Sequence, residues 1–395
     1  MAIDLNFNEQ QQLVQQTANE FFAANCGPSL ARRYENSEDP YPRGLWGKMA
    51  DLGWLGMSFP AEYDGLETTF LDMYALYIEM GRHLVPSPHL ETVAICGELV
   101  AALGTDAQKR RILPAIGSGD AILSFAFTEL DGLYGPEGVT LAAKPRGDGF
   151  VLSGTKTLVN YAGSANWLVV AARTGGTDAA DGISLFLVDP KAAGVTLERT
   201  ANMGGYPLHT VTFADVAVSA DDVLGPVGGA WKTLDEVMMK AAVLQSAMIQ
   251  GAGEQVLEIT VGYAKDRVQF GEPIGKYQFV QRLVTDVAVE AANLRLLALY
   301  AAWKIDSGQP FLREAALAKA AASKAAAAMT FASHEVHAGI GFMNDYDLQL
   351  FTTRCKHWEY NLGDARHSLE RVMDESEGKL TYFEAAPETR ETVQA

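Results

Sequence analysis

Cysteine is scarce: Cys26, Cys96 and Cys355 are the only three in 395 residues. Their spacing matches no metal-binding pattern, and a sparse, odd count suits a reducing compartment better than a disulfide framework. Basic residues are also few. The 31 Lys and Arg face 49 Asp and Glu, leaving a formal net charge of −18. A phosphate-backbone partner requires a basic surface, so nucleic acid is excluded as a partner. Single Arg residues and helix N-termini can still hold an anionic ligand locally. Long apolar runs are absent. The most apolar helical stretch, LRLLALYAAW at 294–303, falls far short of the ~20 residues a membrane span needs. The Ala-rich EAALAKAAASKAAAAMTFA is interrupted by Lys319 and Lys324 and reads as a helix packed closely against its neighbours. The N-terminal MAIDLNFNEQQQLVQQ has no basic or apolar signal segment. A cytoplasmic protein without a membrane partner is the expectation.

Hydrophobic residues make up 48% of the chain, enough for a large core, and its length suggests two or three domains. Residues 1–120 are mostly helical in pattern, with Leu13, Val14, Thr17, Phe21 and Phe22 near one face of the first helix. Residues 121–228 change period. FVLSGTKTLV, NWLVVAART, GISLFLVDP, VTLERT and HTVTFADVAV are short and β-branched or alternating, separated by turn residues. This spacing predicts a β sandwich or barrel. Residues 229–378 return to a helical period in four long segments, which reads as a four-helix bundle. Residues 379–395 read as a loose polar tail.

Between the first two segments of that bundle lies DRVQFGEPIGKYQ, at 266–278. It is more elaborate than a helix–helix turn requires. Together with the order of the three regions, it resembles the acyl-CoA dehydrogenases, as do GFVLSGTKTLVNYAGSANWLVVAART, MGGYPLHTVTFADVAVSADDVLG and HEVHAGIGF. The resemblance covers nearly the whole chain. It implies a mainly α fold with a β domain and FAD as cofactor. It also implies oxidation of the Cα–Cβ bond of an acyl-CoA thioester and transfer of electrons to an electron-transfer flavoprotein or similar acceptor.

In the family a carboxylate takes the Cα proton while a hydride leaves Cβ for the flavin. Each FAD lies between two subunits. One subunit's β domain holds the flavin ring, and its neighbour's bundle receives the pyrophosphate and adenine end. On the neighbour's side, the resemblance assigns FAD contacts to Arg267, Gln269, Phe270, Gln278, Gly339 and Gly341, although Glu335 and Ala338 depart from the family pattern. A guanidinium fork suits a diphosphate. The flavin-ring side matches less well. Thr128 and Glu129 remain from the first flavin loop, but the Gly-Ser-Asp turn does not. Leu158, Val159 and Asn160 replace the Trp-Ile-Thr that backs the ring.

The family base is a Glu before a Gly late in the bundle, or a Glu on the first bundle helix. Those positions fall on Leu362 and Ala241, with Ala242 following the latter. Asp364 is the nearest substitute base, although a first-turn Asp also suits a helix N-terminus. Glu359 and Glu236 read as solvated helix charges. His334 and His337 are three apart, not the four of a zinc helix motif, so no metal is expected. This pattern resembles the partner subunit of bacterial heteromeric acyl-CoA dehydrogenases, such as the pimeloyl-CoA dehydrogenase small subunit. A related subunit is then the expected partner. The alternatives are a self-sufficient homotetramer using Asp364 and a flavin-free scaffold.

Overall fold

The computed structural model describes residues 4–35, 37–38, 40–176 and 179–376. The expected tail at 379–395 lies outside them. The N-terminal region contains α1 (Glu9–Asn25), α2 (Pro28–Tyr34), α3 (Arg43–Asp51), α4 (Phe70–Arg82), α5 (Glu98–Leu103) and α6 (Asp106–Gly117). Three of these helices begin with reciprocal caps: Asn8 with Gln11, Thr69 with Asp72, and Thr105 with Gln108. Each cap satisfies two backbone donors that a helix start leaves open. The buried face of α1 is Gln11, Ala18 and Phe22, while Leu13 is 62% exposed. Of the expected face, Phe22 is buried and Val14 and Phe21 pack partly buried against the core, while Thr17, like Leu13, is exposed; Ala18 and Phe22, 7 and 11 positions after Gln11, complete the inward stripe. Leu90–Gly97, just before α5, is wound as a π-helix. Such widened turns are rare and often occur at functional sites.

The middle region contains β1 (Leu123–Ala126), β2 (Ala142–Arg146), β3 (Gly149–Asn160), β4 (Trp167–Arg173), β5 (Ile183–Val188), β6 (Val195–Thr200), β7 (Leu208–Val218) and β8 (Val223–Leu224). They form one sheet in the order β6-β7-β3-β2-β4-β5-β8, with β1 parallel to β4. Leu152, Val170, Phe186 and Phe213 belong to the sheet's own core. A separate core joins the N-terminal helices to the C-terminal ones. The short β1 and β2 carry little alternation and were missed by sequence patterning. The pairing of β3 with β7 slips between Lys156 and Val159. The irregularity leaves Leu158 at φ 54° and 49% exposed, as a bulge re-aims one side chain.

The C-terminal region contains α7 (Trp231–Asp266), the ribbon β9 (Val268–Gln269) and β10 (Glu272–Pro273), α8 (Gln278–Asp306), α9 (Leu312–His337), α10 (Leu348–Tyr360) and α11 (Ala365–Asp374). The Ala run lies in α9 and buries Ala315, Ala318, Ala322 and Ala325, where small side chains permit close helix approach. The expected fourth long segment is two helices. Leu362 at φ 60° and Gly363 at φ 98° are left-handed and stop α10 before α11 begins. Beneath this break Lys319 Nζ donates to the carbonyls of Trp358 at 2.6 Å and Glu359 at 3.1 Å, satisfying acceptors that the helix end leaves open.

A second buried lysine organises the β domain. Lys156 Nζ, fully buried, lies 2.7 Å from a Glu129 carboxylate oxygen and donates to the Phe127 carbonyl at 2.8 Å. Glu129 also accepts from the backbone N–H groups of Thr140 and Leu141, both at 2.9 Å. Removing one partner of such a pair strands the other charge, so Glu129→Leu should cost about 3–5 kcal/mol. The double change Glu129→Leu/Lys156→Met should cost less than Glu129→Leu alone. Urea midpoints of the three variants check this.

Candidate functional site

The 266–278 turn is a built feature. Arg267 closes α7, its N–H donating to the Tyr263 carbonyl at 2.9 Å. Gln269 then pairs with Glu272 across a two-residue hairpin whose centre is Phe270 at φ 54° and Gly271 at φ 83°. Two positive φ values are what a tight hairpin demands. Glycine meets that demand freely, whereas a side chain costs about 1–2 kcal/mol. Yet Phe270 occupies it with its ring 94% exposed, edge-on to Tyr277 at 6.3 Å. The Tyr277 hydroxyl braces the turn by donating to the Gln269 carbonyl at 3.0 Å. Backbone strain spent on presenting an apolar ring to solvent points to a binding role. Ala338, which ends α9 at φ 51° and ψ −137°, is strained in the same region. Arg267, Gln269, Phe270, Tyr277, Ala338 and Gly339 line one open groove. Gln278 is exposed at the start of α8, beside it. No ion pair holds Arg267 among the described residues.

A second cleft runs between the β domain and the break at Leu362. Thr128 and Leu158 form its β-domain wall. The loop after Thr128 is anchored at its start by the Glu129–Lys156 pair. At its end, Arg173 donates to the carbonyls of Val139 at 2.7 Å and Pro136 at 2.6 Å. From the loop's tip Tyr134 crosses the cleft. Its hydroxyl donates to the Tyr360 carbonyl at 2.7 Å, and its ring centre lies 5.5 Å from that of His367. Tyr134 lines a cavity on either side of itself. The inner one is walled by Ile95, Phe125, Phe127, Met238, Met239 and Leu362.

The inner cavity also receives Glu91, Asn160, Asp235, His367 and Arg371. Arg371 holds Asp235 through both carboxylate oxygens, so that carboxylate is already paired. Burial and the Arg371 charge push the His367 imidazolium below the usual range. Glu91 is 6% exposed and has no cationic partner among the described residues. Burial pushes its carboxyl up to about 8, against the opposing effect of hydrogen bonds from its own backbone and the Asn160 amide. The Asn160 Oδ1 is buried without a hydrogen-bond partner. Ala241 is fully buried in the helical core and does not line this cavity. Asp364 caps α11, accepting from the His367 N–H at 2.9 Å. His334 Nε2 contacts the Thr352 hydroxyl, and His337 Nδ1 the Ser333 carbonyl. Among the described residues no group of three metal-ligating side chains gathers, and no helix is long and apolar enough to cross a membrane.

Family models for the acyl-CoA dehydrogenase N-terminal, middle and C-terminal domains match residues 8–120, 124–216 and 229–372. The chain belongs to the acyl-CoA dehydrogenase family. It is 30% identical to the mitochondrial short-chain specific acyl-CoA dehydrogenase of Bos taurus, over 85% of this chain and 82% of that one. The ChsE4–ChsE5 complex from Mycobacterium tuberculosis contains a chain similar in structure at TM-score 0.87 and 26% identity, covering 96% of this chain and all of the other. A chain of the Tcur3481–Tcur3483 steroid ACAD is similar at TM-score 0.83 and 30% identity, with 94% and 98% covered. The family comprises oxidoreductases acting on the CH–CH bond of acyl-CoA, with FAD as cofactor.

The groove at Arg267 and the cleft at Thr128 differ in their fit to FAD. The groove at Arg267 suits an anionic dinucleotide end, offering an exposed guanidinium, an amide and a presented aromatic ring. The cleft at Thr128 does not suit a flavin ring as it stands, because Tyr134 bridges it. Sequence reasoning missed Glu91 and the Asp235–Arg371 pair. The lone Glu in the apolar LETVAICG was a usable signal for the first. The second joins residues 136 positions apart and left none.

Glu91 is protonated in the fold until about pH 8, whereas an unfolded Glu ionises near pH ~4.3. Its contribution to stability is therefore complete below the lower value and is lost as pH rises to the upper one. Glu91→Gln imitates the protonated form. Its denaturation midpoint should gain on wild type from about pH 4.5 to 8 and then level off. A gain that shrinks with rising pH would contradict the placement.

Proposed function

We propose that this chain is the subunit of a heteromeric acyl-CoA dehydrogenase that completes the FAD site of a related, Glu-bearing subunit. The observation that carries this reading is Leu362. At the position where the family keeps its base, an apolar side chain lines the cleft. An α-proton is weakly acidic, so a positioned, desolvated acceptor is required. Neither Leu362 nor Ala241 can accept a proton, and Asp364 is engaged as a helix cap. FAD, when bound, supplies the hydride acceptor. This chain's contribution is to hold it: Arg267 through a charge-assisted contact to the diphosphate, with Gln269, Phe270 and Gln278 at the adenine end and Gly339 allowing close backbone approach. Thr128, with Glu129 beside it, is kept from the flavin-ring side. The acyl-CoA substrate and the onward acceptor, an electron-transfer flavoprotein or similar carrier, act at the partner's flavin.

Similarity to a chain of the ChsE4–ChsE5 complex supports a two-subunit assembly. Arg267→Ala should weaken FAD retention in the assembled protein by about 1.5–3 kcal/mol, the worth of a hydrogen bond to a charged group. Equilibrium dialysis of FAD against the assembled variant measures it, and unchanged retention refutes the Arg267 assignment.

The isolated chain should turn over little or no acyl-CoA, and the pair should hold about one functional flavin. Asp364→Asn keeps a good cap and should leave turnover of the pair unchanged. The rival reading is a self-sufficient homo-oligomer. Robust activity of the isolated chain, abolished by Asp364→Asn or by Glu91→Gln, would establish that reading instead.

A further inference from the structure

In the 127–141 loop, Tyr134 does more than depart from the family's flavin-loop pattern. Thr128 and Leu158 form the wall against which a flavin ring would rest, and Tyr360, Asn361 and Leu362 lie opposite. Tyr134 spans that gap. Thr128, Leu158 and Asn361 border the cavities on both of its sides, so one side chain divides what would be a continuous slot. The loop is not free to swing. Glu129–Lys156 holds its start, Arg173 its end and the Tyr360 carbonyl its tip. Burial, helped by the nearby Asp364 charge, pushes the Tyr134 phenol up to about 12. It stays a neutral donor to that carbonyl across the working pH range.

We infer that Tyr134 occupies the flavin ring's seat in this chain's own cleft and denies FAD to it. A planar ring lying on Leu158 beneath the Leu362 break would have to displace the phenol. That would break its bond to Tyr360, remove its contact with His367 and loosen a loop pinned at both ends. The inference rests on the partner-subunit reading and names the residue that makes the subunit's flavin occupancy one-sided: open at Arg267, closed at Tyr134.

The test uses the full-length chain purified alone, with two probes. FAD reports the composite site, and lumiflavin reports the ring seat without needing the adenine-end groove. Wild type should bind neither appreciably. Tyr134→Ala should bind lumiflavin at least about tenfold more tightly, by fluorescence titration. It should also retain FAD that is lost again in Tyr134→Ala/Arg267→Ala. Tyr134→Phe keeps the ring while deleting the hydroxyl and should behave as wild type. Tyr134→Ser is the second opening variant, and circular dichroism confirms that each protein is folded. If folded Tyr134→Ala and Tyr134→Ser bind lumiflavin no better than wild type, the Tyr134 inference fails while the partner-subunit reading stands. If the wild-type chain alone binds one FAD per chain, both fail, because its cleft is then open without any change.

Discussion

Burying a lysine ammonium is costly unless it is paired and hydrogen-bonded, and Lys156 finds Glu129 at 2.7 Å. Much of the site's geometry depends on this contact. It ties the middle of β3 to the start of the 127–141 loop, where the β3 register slips and Leu158 turns outward. It also gives the Thr140 and Leu141 backbone donors a partner at the loop's far side. The β-domain wall of the cleft and the start of the loop that crosses it therefore share one ion pair, to which Arg173 and the Tyr360 carbonyl add the loop's other anchors. The opposite wall has its own buried lysine: Lys319, beneath the end of α10, donates to the carbonyls just before the left-handed break at Leu362, and burial pulls its amine down to about 7.

The groove at Arg267 and the cleft at Leu362 use backbone strain differently. At Phe270 a residue other than glycine is held left-handed to place an aromatic ring in solvent. At Leu362 the same kind of strain accompanies an apolar side chain that lines the cleft. Tyr134 then closes the slot between Leu362 and Leu158. An exposed Arg without an ion pair among the described residues on one side, and a cleft bridged by Tyr134 on the other, are the two features on which the proposed partner-subunit role rests.

The inner cavity adds a group that the reaction, as read here, does not use. Glu91 enters it from the π-wound segment before α5, protonated at neutral pH by burial and beside the Asn160 side chain. Glu91 and Ile95, four residues apart, lie on one face of that segment and reach the cavity wall together.

The alternation of period from helix to strand to helix marked the three regions in the sequence, since 3.6- and 2-residue repeats reflect which faces are buried. The 266–278 turn was equally legible, because its Arg, Gly and Pro are local requirements of one hairpin between two helices. The sequence by itself also determined that Leu362 and Ala241 carry no ionisable group in any fold. The tertiary structure alone decided three other features. It split the fourth bundle segment, because Leu362 adopts a left-handed conformation that its side chain does not favour. It paired Asp235 with Arg371 across 136 residues. It also carried Tyr134 across the cleft to the Tyr360 carbonyl, 226 residues away. Such contacts depend on how separate elements pack, and no local pattern of residue types encodes the distance between two walls.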